Sequence, residues 1–364
     1  MGNSKFHLLE KLRGKNHIGK KLITLTLIGS SVLMLTACGK KSAEVKVSSG
    51  SYVQETDKSA KSGEGYLALK VNVKNTTGEK LVVSSNDFKL KKDDETISPE
   101  TMYLDGMKEF DYQKVDKDDS VSGYVFFKVD KDDKYELKYT PEPSDFEKDD
   151  KLKSTTTEVN ASKYKDPGES AKKAAKQYVE AVFFNDQNAQ EKNNLENNVK
   201  EDAKNYHDEF VKDFRDELGE DAVSDQQADK IFQDYINDGK KRDEISYEVY
   251  EAKPNEVTIE VNAKTVDIAN IDVDQLMSNF EDEFLDKHKD DEEINEDEVV
   301  KEATQYLIDK LPELISKEEV STDSDSGYRL KMKKTNGKWE IETTGSDADD
   351  YSLLKEQFLG GLSY

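Results

Sequence analysis

Cys38 is the residue with the clearest chemical potential, because it is the only cysteine among the 364 residues of the chain. Leu35, Thr36 and Ala37 precede it and Gly39 follows it. A thiol at this place can form a thioether with a diacylglycerol, and cleavage before Cys38 would free an α-amino group that can also be acylated. Two acyl chains anchor a protein stably to a membrane, whereas one chain gives only marginal binding. The chemistry predicted here is therefore lipid attachment.

The segment before Cys38 has the three parts of an export signal. A basic start that includes Lys5, Arg13 and Lys21 is followed by an apolar run over residues 22–35 and then by small residues. That order predicts a signal peptide over residues 1–37. The apolar run is shorter than the about 20 residues that span a bilayer. An uncleaved signal anchor is the alternative interpretation.

The five residues from Leu35 to Gly39 resemble the lipobox of bacterial surface lipoproteins. The resemblance implies an acyl lipid, such as palmitate, on Cys38 and a location at the extracellular face of the cell membrane of a Gram-positive bacterium. Residues 38–50 are polar, and we expect them to form a tether. Apart from the lipid on Cys38, no cofactor is predicted.

The charge of the chain excludes some classes of partner. The full sequence has 54 Lys and Arg against 79 Asp and Glu, and residues 1–37 hold six of the basic residues and one of the acidic ones. The remaining 327 residues thus carry a formal charge of −30. Proteins that bind nucleic acid need basic patches, so nucleic acid is not an expected partner. The charge also predicts that membrane attachment comes from the lipid.

The first half of the mature chain shows the alternation of β-strands. Leu67, Leu69, Val71 and Val73 alternate with mostly polar residues, and Val121 to Val129 repeat the pattern. Such a period of two indicates strands with one buried face. Repeated short strands separated by turn residues predict an all-β sandwich over residues 51–142.

The sandwich segment resembles a known family. Residues 65–77, the Phe88-Lys-Leu triplet and residues 121–129 resemble the immunoglobulin-like domain of bacterial surface lipoproteins, a family that includes immunoprotective extracellular antigens. The resemblance implies an immunoglobulin-like fold. It carries no catalytic residues over to this chain, and a sandwich fold does not by itself define a function.

The second half changes to helical periodicity after a polar linker predicted over residues 143–164. Asp166 followed by Pro167 predicts the start of a helix, and Ser224 with Gln227 forms the pattern of a capping box. Asn336-Gly337 predicts a hairpin turn. The pattern predicts an α+β domain over residues 165–364, with three helices, a hairpin, two helices, a second hairpin and a last helix. It is similar to uncharacterised C-terminal domains of Firmicute lipoproteins.

Metal sites and active-site motifs are not predicted. His207 and His288 lie in charged helices without neighbouring ligand residues, so we expect them to be solvated on helix surfaces. Four acidic clusters fall in predicted loops, and none has the spacing of a calcium-binding loop, so they are interpreted as solvated turns. The clusters begin at Asp116, Asp130, Asp290 and Asp323.

A possible interaction patch is predicted on the sandwich. Tyr66, Tyr124 and Phe126 fall on the outward-facing positions of two strands. If those strands are neighbours, the rings would form an exposed aromatic surface, and such surfaces can mark partner sites. A cover from the linker or the second domain is the alternative.

These observations predict a membrane-anchored lipoprotein that acts as a non-catalytic binding or interaction module for another envelope protein or polymer. The alternative is an envelope ligand sensor or accessory factor with a pocket in its C-terminal domain. A cell-wall hydrolase is the least favoured class, because no nucleophile lies in a recognisable elbow motif.

Overall fold

The structure is a computed structural model that describes residues 42–144, 152–192, 194–218, 223–289, 295–346 and 348–362. The predicted lipidation site and its motif, residues 35–39, lie outside the described residues. The described residues all belong to one compact unit. Within it, a β-sandwich is followed by helices packed on an antiparallel sheet, which confirms the predicted fold class of two domains.

Among its described residues, the N-terminal domain contains three small antiparallel sheets. Their orders are β1-β2-β7, β10-β8-β4-β5 and β6-β3-β9. The strands are β1 (Glu44–Val53), β2 (Glu64–Lys74), β3 (Leu81–Val83), β4 (Phe88–Lys92), β5 (Glu95–Ile97), β6 (Gln113–Val115), β7 (Ser120–Asp130), β8 (Lys134–Tyr139), β9 (Glu142–Pro143) and β10 (Thr155–Asn160).

The core of the sandwich follows from the alternation seen in the sequence. Leu67, Leu69, Val71 and Val73 are completely buried, and they pack in one cluster with residues of β4, β7 and β8. Each such side chain removed from water contributes about 1.5–3 kcal/mol before the entropy of ordering is subtracted. This apolar layer holds the sheets together face to face.

Two predicted boundaries of the sandwich are wrong. Residues 44–50 were assigned to the tether but belong to β1, and residues 155–160 were assigned to the linker but form β10, which pairs with β8. The alternation in β1 is interrupted by Ser48-Ser49-Gly50, where the register shifts. In β10 only Val159 is buried, and the other residues of the strand are polar. The strand therefore lacks the alternation of apolar and polar residues that would predict it.

The C-terminal domain has one main sheet of order β11-β12-β14-β15, with β13 paired to β12. The predicted four strands therefore do form one antiparallel sheet. The elements are α1 (Pro167–Val182), α2 (Gln187–Lys192), α3 (Val199–Leu218), α4 (Asp225–Arg242), β11 (Glu244–Lys253), β12 (Glu256–Val266), α5 (Asp274–Lys287), α6 (Glu296–Lys317), β13 (Val320–Ser321), β14 (Tyr328–Thr335), β15 (Lys338–Ile341) and α7 (Asp349–Phe358).

Local signals account for several element ends. The Asp166 side chain caps α1, and Ser224 and Gln227 form the capping box of α4. Asn336 and Gly337 have φ angles of 52° and 86°, which a type I′ hairpin turn requires. Pro312 lies inside α6, and the helix continues to Lys317.

Candidate functional site

The two domains are joined by backbone hydrogen bonds at the end of β1. The Gln54 amide donates to the Ala252 carbonyl over 3.0 Å, and the Ala252 amide donates back over 2.9 Å. The Tyr52 amide donates to the carbonyl of Lys165, just before α1. These bonds extend β1 onto β11 and fix the sandwich against the start of the C-terminal domain.

A lysine and an aspartate reinforce this junction. Lys131 of the sandwich contacts Asp166 Oδ2 at 2.6 Å, and its Nζ lies 5.2 Å from the centre of the Tyr52 ring. The other Asp166 oxygen accepts from the Glu169 amide at the start of α1. Asp166 therefore caps a helix of one domain and binds a cation of the other.

Tyr52 is held as a neutral phenol at the same place. Burial, with smaller contributions from Tyr135 and Asp166, raises the pKa of Tyr52 well above its ordinary value. Its hydroxyl donates to the Ala161 carbonyl over 3.1 Å, and only 4% of the residue is exposed. The ring is thus a fixed wall of the junction.

A cleft of about 370 Å³ opens between the two domains at this junction. One wall comes from the start of β2 and the chain before it, and the other comes from the start of α1 and from β11. The polar groups on its walls carry both signs of charge: Gln54, Lys61, Ser62, Glu64, Lys131, Asp166 and Glu169. Its volume lies in the range of pockets that bind small molecules.

The junction predicts a measurable difference between two substitutions at Asp166. Asp166→Ala removes both the cap and the ion pair, so we expect it to lower the free energy of unfolding by about 1–2 kcal/mol. Asp166→Asn keeps a capping oxygen, and because the pair with Lys131 is partly exposed we expect a loss below about 1 kcal/mol. Urea unfolding of both variants tests this, and equal losses would contradict the capping role.

The predicted aromatic patch is covered. Tyr124 and Phe126 stack with ring centres 6.2 Å apart, but Phe126 is completely buried and Tyr66 and Tyr124 are half-buried. The chain between β5 and β6 covers them with Met102, Leu104 and Met107. The predicted exposure of Phe126 is therefore wrong, because an apolar loop without strand periodicity covers that face. Tyr66 also lines the junction cleft.

The two histidines are less solvated than expected. His207 lies between Asp208 and Asp229, with Nε2 3.0 Å from an Asp229 oxygen, and its ring contacts Phe232 edge-on. His288 stacks on Phe284 at 4.2 Å. Both are partly buried because they pack against aromatic rings. In the described part of the chain, no three His, Cys, Asp or Glu side chains converge as metal ligands.

The acidic clusters have structural surroundings where they are described. Asp116 pairs with Lys80 at 2.8 Å, and Asp133 pairs with Lys92. Asp323 accompanies a turn in which Ser324 donates to the Gly327 carbonyl. The cluster at residues 290–293 lies outside the described residues.

Comparisons with known proteins agree with this architecture. A family model described as "Domain of unknown function (DUF4352)" matches residues 38–154, and one described as "Domain of unknown function (DUF5105)" matches residues 161–358. The "Uncharacterized lipoprotein YcdA" of Bacillus subtilis (strain 168) is 30% identical over an alignment of 339 residues, and the alignment covers 87% of this chain and 88% of the relative. The chain belongs to this lipoprotein family.

The family includes a solved structure. The crystal structure of the Bacillus subtilis lipoprotein ycdA matches with a TM-score of 0.63 at 26% identity, and the match covers 88% of this chain and 98% of that one. The succession of sandwich and α+β domain is therefore a property of the family. Among the helices of the described residues, none combines the length and apolarity needed to cross a membrane.

The cleft was not predicted from the sequence. Its walls come from four separate stretches, around residues 52–66, 131, 166–169 and 249–252. Asp166 was recognised as a helix cap, and the other polar residues of the cleft have no local pattern. The Gln54–Ala252 bridge and the Lys131–Asp166 pair bring them together.

Proposed function

We propose that this protein is a lipid-anchored, non-catalytic binding module at the extracellular face of the cell membrane, and that the junction cleft is its ligand site. The observation that carries the proposal is the cleft itself, a space of about 370 Å³ with a wall from each domain. Membership in a lipoprotein family and the motif around Cys38 support the anchor.

The walls of the cleft favour a small polar ligand. Lys61 is exposed at the rim, Glu169 lies at the start of α1, and Ser62 and Gln54 can donate or accept hydrogen bonds. The Tyr66 ring supplies an amphipathic surface. A ligand with several hydrogen-bonding groups and both charges, such as a peptide or amino-sugar fragment of an envelope polymer, fits this chemistry.

The cleft is also pre-organised. Backbone pairing of Gln54 with Ala252 and the Lys131–Asp166 pair hold the two walls without a ligand. Affinity rises when a site does not have to be ordered on binding. This favours binding through fixed walls over a function that requires the domains to close.

A second candidate is a ligand sensor or accessory factor that uses a pocket in the C-terminal domain. A depression of about 300 Å³ lies there between Asn197 and the chain that follows β15, and its lining includes Glu340, Glu342 and Thr343. It belongs to one domain, whereas the junction cleft combines both. A cell-wall hydrolase is the least favoured class.

The proposal can be tested by photo-cross-linking on living cells. A benzophenone amino acid at Ser62, in the cleft, is compared with one at Thr156, an exposed position of β10. We expect a specific adduct from position 62 that disappears when Ala60→Trp fills the cleft. Circular dichroism of the Ala60→Trp protein checks that it remains folded.

The probe at position 156 is the control for cross-linking that does not depend on the cleft. The same adducts from positions 62 and 156 would contradict the cleft as the ligand site, and so would an adduct that persists in the folded Ala60→Trp protein. An adduct from a probe at Thr343 alone would favour the second candidate.

A further inference from the structure

We propose that one end of the sandwich rests on the lipid surface and that the C-terminal domain is held away from it. This end, called here the basal end, comprises Ser42, the turn at Asn75–Lys80, the turn at Asp116–Asp119 and Lys153. The proposal rests on the proposed lipid at Cys38. Its partner is the headgroup region of the membrane.

Chain length places the basal end near the lipid. Three residues lie between Cys38 and Ser42, where the described structure begins, so four steps of the chain join them. A fully extended chain covers at most about 3.6 Å per residue, so Ser42 cannot be more than about 14 Å from the lipidated residue. That distance is less than half the length of β2, which has eleven residues, so the anchor imposes an orientation on the domain.

The chain at Ser42 is fixed to the sandwich. Ser42 forms a parallel bridge with Lys153, and its carbonyl accepts from the Thr76 hydroxyl. The next carbonyl, that of Ala43, accepts from Thr155 Oγ1 over 2.7 Å. The chain is therefore ordered from Ser42 onward, where a free tether was predicted. Only the few residues between Cys38 and Ser42 can separate the domain from the membrane.

The strands run from the basal end to the junction. At the basal end Glu44 faces Lys74, and Lys74 faces Ser120, whereas at the other end Glu64 faces Asp130 next to the cleft. The eleven residues of β2 span about 35 Å at 3.3 Å per residue. The cleft therefore lies at the end of the sandwich that is opposite to the anchor.

The C-terminal sheet continues beyond the junction, in the direction that leads away from the basal end. Gln54 pairs with Ala252 in antiparallel orientation, so β11 runs opposite to β1. Its first residue, Glu244, consequently lies beyond the junction and not beside the sandwich. Lys264, the partner of Glu244 in β12, shares that distant end.

Charge does not drive the contact of the basal end with the membrane. The residues of this end include three lysines at 80, 117 and 153 and four acids at 79, 116, 118 and 119. In proportion to its size, this charge is similar to the formal charge of −30 on the 327 residues after residue 37. The lipid and the short chain before Ser42 therefore set the orientation, and the lysines of this end can approach anionic headgroups.

Single-cysteine energy transfer tests the orientation. The lipid occupies the thiol of Cys38, the only cysteine, so an introduced cysteine is the only free thiol of the lipidated protein. Lys117→Cys places a donor dye at the basal end and Lys264→Cys places it at the distant end. Both positions are exposed. The lipidated proteins are reconstituted into vesicles that contain an acceptor-labelled phospholipid.

We expect transfer from position 117 to be at least about twice as efficient as transfer from position 264. Equal or reversed efficiencies, with the parent protein unlabelled and bound to the vesicles, would overturn the orientation while leaving the anchor intact. Labelling of the parent protein at Cys38, with loss of flotation on the vesicles, would overturn the anchor and the orientation together.

Discussion

Replacing Asn75 with alanine is expected to lower the free energy of unfolding by about 2–4 kcal/mol. Asn75 is completely buried at the basal end of the sandwich. Its Nδ2 donates towards the carbonyls of Glu79, Val115 and Asp116 at 2.6, 3.0 and 3.2 Å. Alanine would remove this shared donor, although the Glu79 and Asp116 carbonyls keep the Thr77 hydroxyl and the Asp119 amide as donors. The cost of a buried polar group that loses its partner exceeds the net value of a hydrogen bond.

The oxygen of the same side chain is also used. Asn75 Oδ1 accepts from the Thr77 amide at 3.0 Å and from the Thr77 hydroxyl at 2.7 Å. Asn75→Asp keeps this acceptor but places a carboxylate among carbonyl oxygens, so we expect it to destabilise at least as much as alanine. One side chain thus ties the turn after β2 to the chain after β6.

Asn72→Ala is the matched control, because Asn72 lies in β2, three residues before Asn75, and its side chain donates an exposed hydrogen bond to the Ser122 hydroxyl. This variant should lower the free energy of unfolding by no more than about 0.5 kcal/mol. Urea unfolding of the three variants and the parent measures the differences. Similar losses for Asn72→Ala and Asn75→Ala would show that the buried amide does not organise the basal end.

Stability is expected to fall as the pH rises from 4 to 8, and Asp243→Asn should remove a large part of that fall. Asp243 follows α4, and its Oδ1 is buried without a hydrogen-bond partner among the described residues. Burial raises the pKa of this carboxyl to about 7; the Arg242 charge opposes the rise and the Asp238 charge adds to it.

The sign of the effect follows from the direction of the shift. Because the folded-state pKa of Asp243 lies above the unfolded value, the unfolded state loses its proton first as the pH rises. Below about pH 4 the carboxyl does not lower the free energy of unfolding. As the pH rises to about 7, it lowers the free energy of unfolding by up to about 4 kcal/mol. Burial also raises the pKa of Asp87, to about 6, which acts in the same direction.

Urea unfolding at pH 4 and pH 8 measures this contribution. The free energy of unfolding of Asp243→Asn should equal that of the parent protein at pH 4 and exceed it by several kcal/mol at pH 8. Asp234→Asn is the control, because Asp234 lies in α4, the helix that Asp243 follows, and forms a surface pair with Lys230. This substitution should change the free energy of unfolding little at either pH. A stability difference between Asp243→Asn and the parent that does not vary with pH would contradict the buried, titrating carboxyl.

The sequence predicted those parts of the fold that depend on local rules. Asp166-Pro167 starts a helix because the carboxylate can cap the first amides, and Asn336-Gly337 forms a turn because both residues tolerate positive φ. The alternation of Leu67 to Val73 predicted a buried strand face because successive side chains of a strand point to opposite sides.

The remaining features depend on long-range contacts. The start of β1 and all of β10 were assigned to polar connections, because their place in a sheet depends on pairing with β2 and β8. The cover on Phe126 comes from a loop without periodicity, and the cleft joins residues as far apart as Lys61 and Ala252. No pattern within one segment contains that information.

The proposed membrane anchor and the proposed orientation both require lipid on Cys38. The most direct measurement is mass spectrometry of the N-terminal peptide of the protein isolated from the membrane fraction, beside the Cys38→Ala variant. We predict a peptide that begins at Cys38 and carries a diacylglyceryl thioether, and a variant that loses lipid labelling and membrane retention. A peptide with a free Cys38 thiol and the preceding residues still attached, or a Cys38→Ala protein that a fatty-acid probe still labels, would contradict the account.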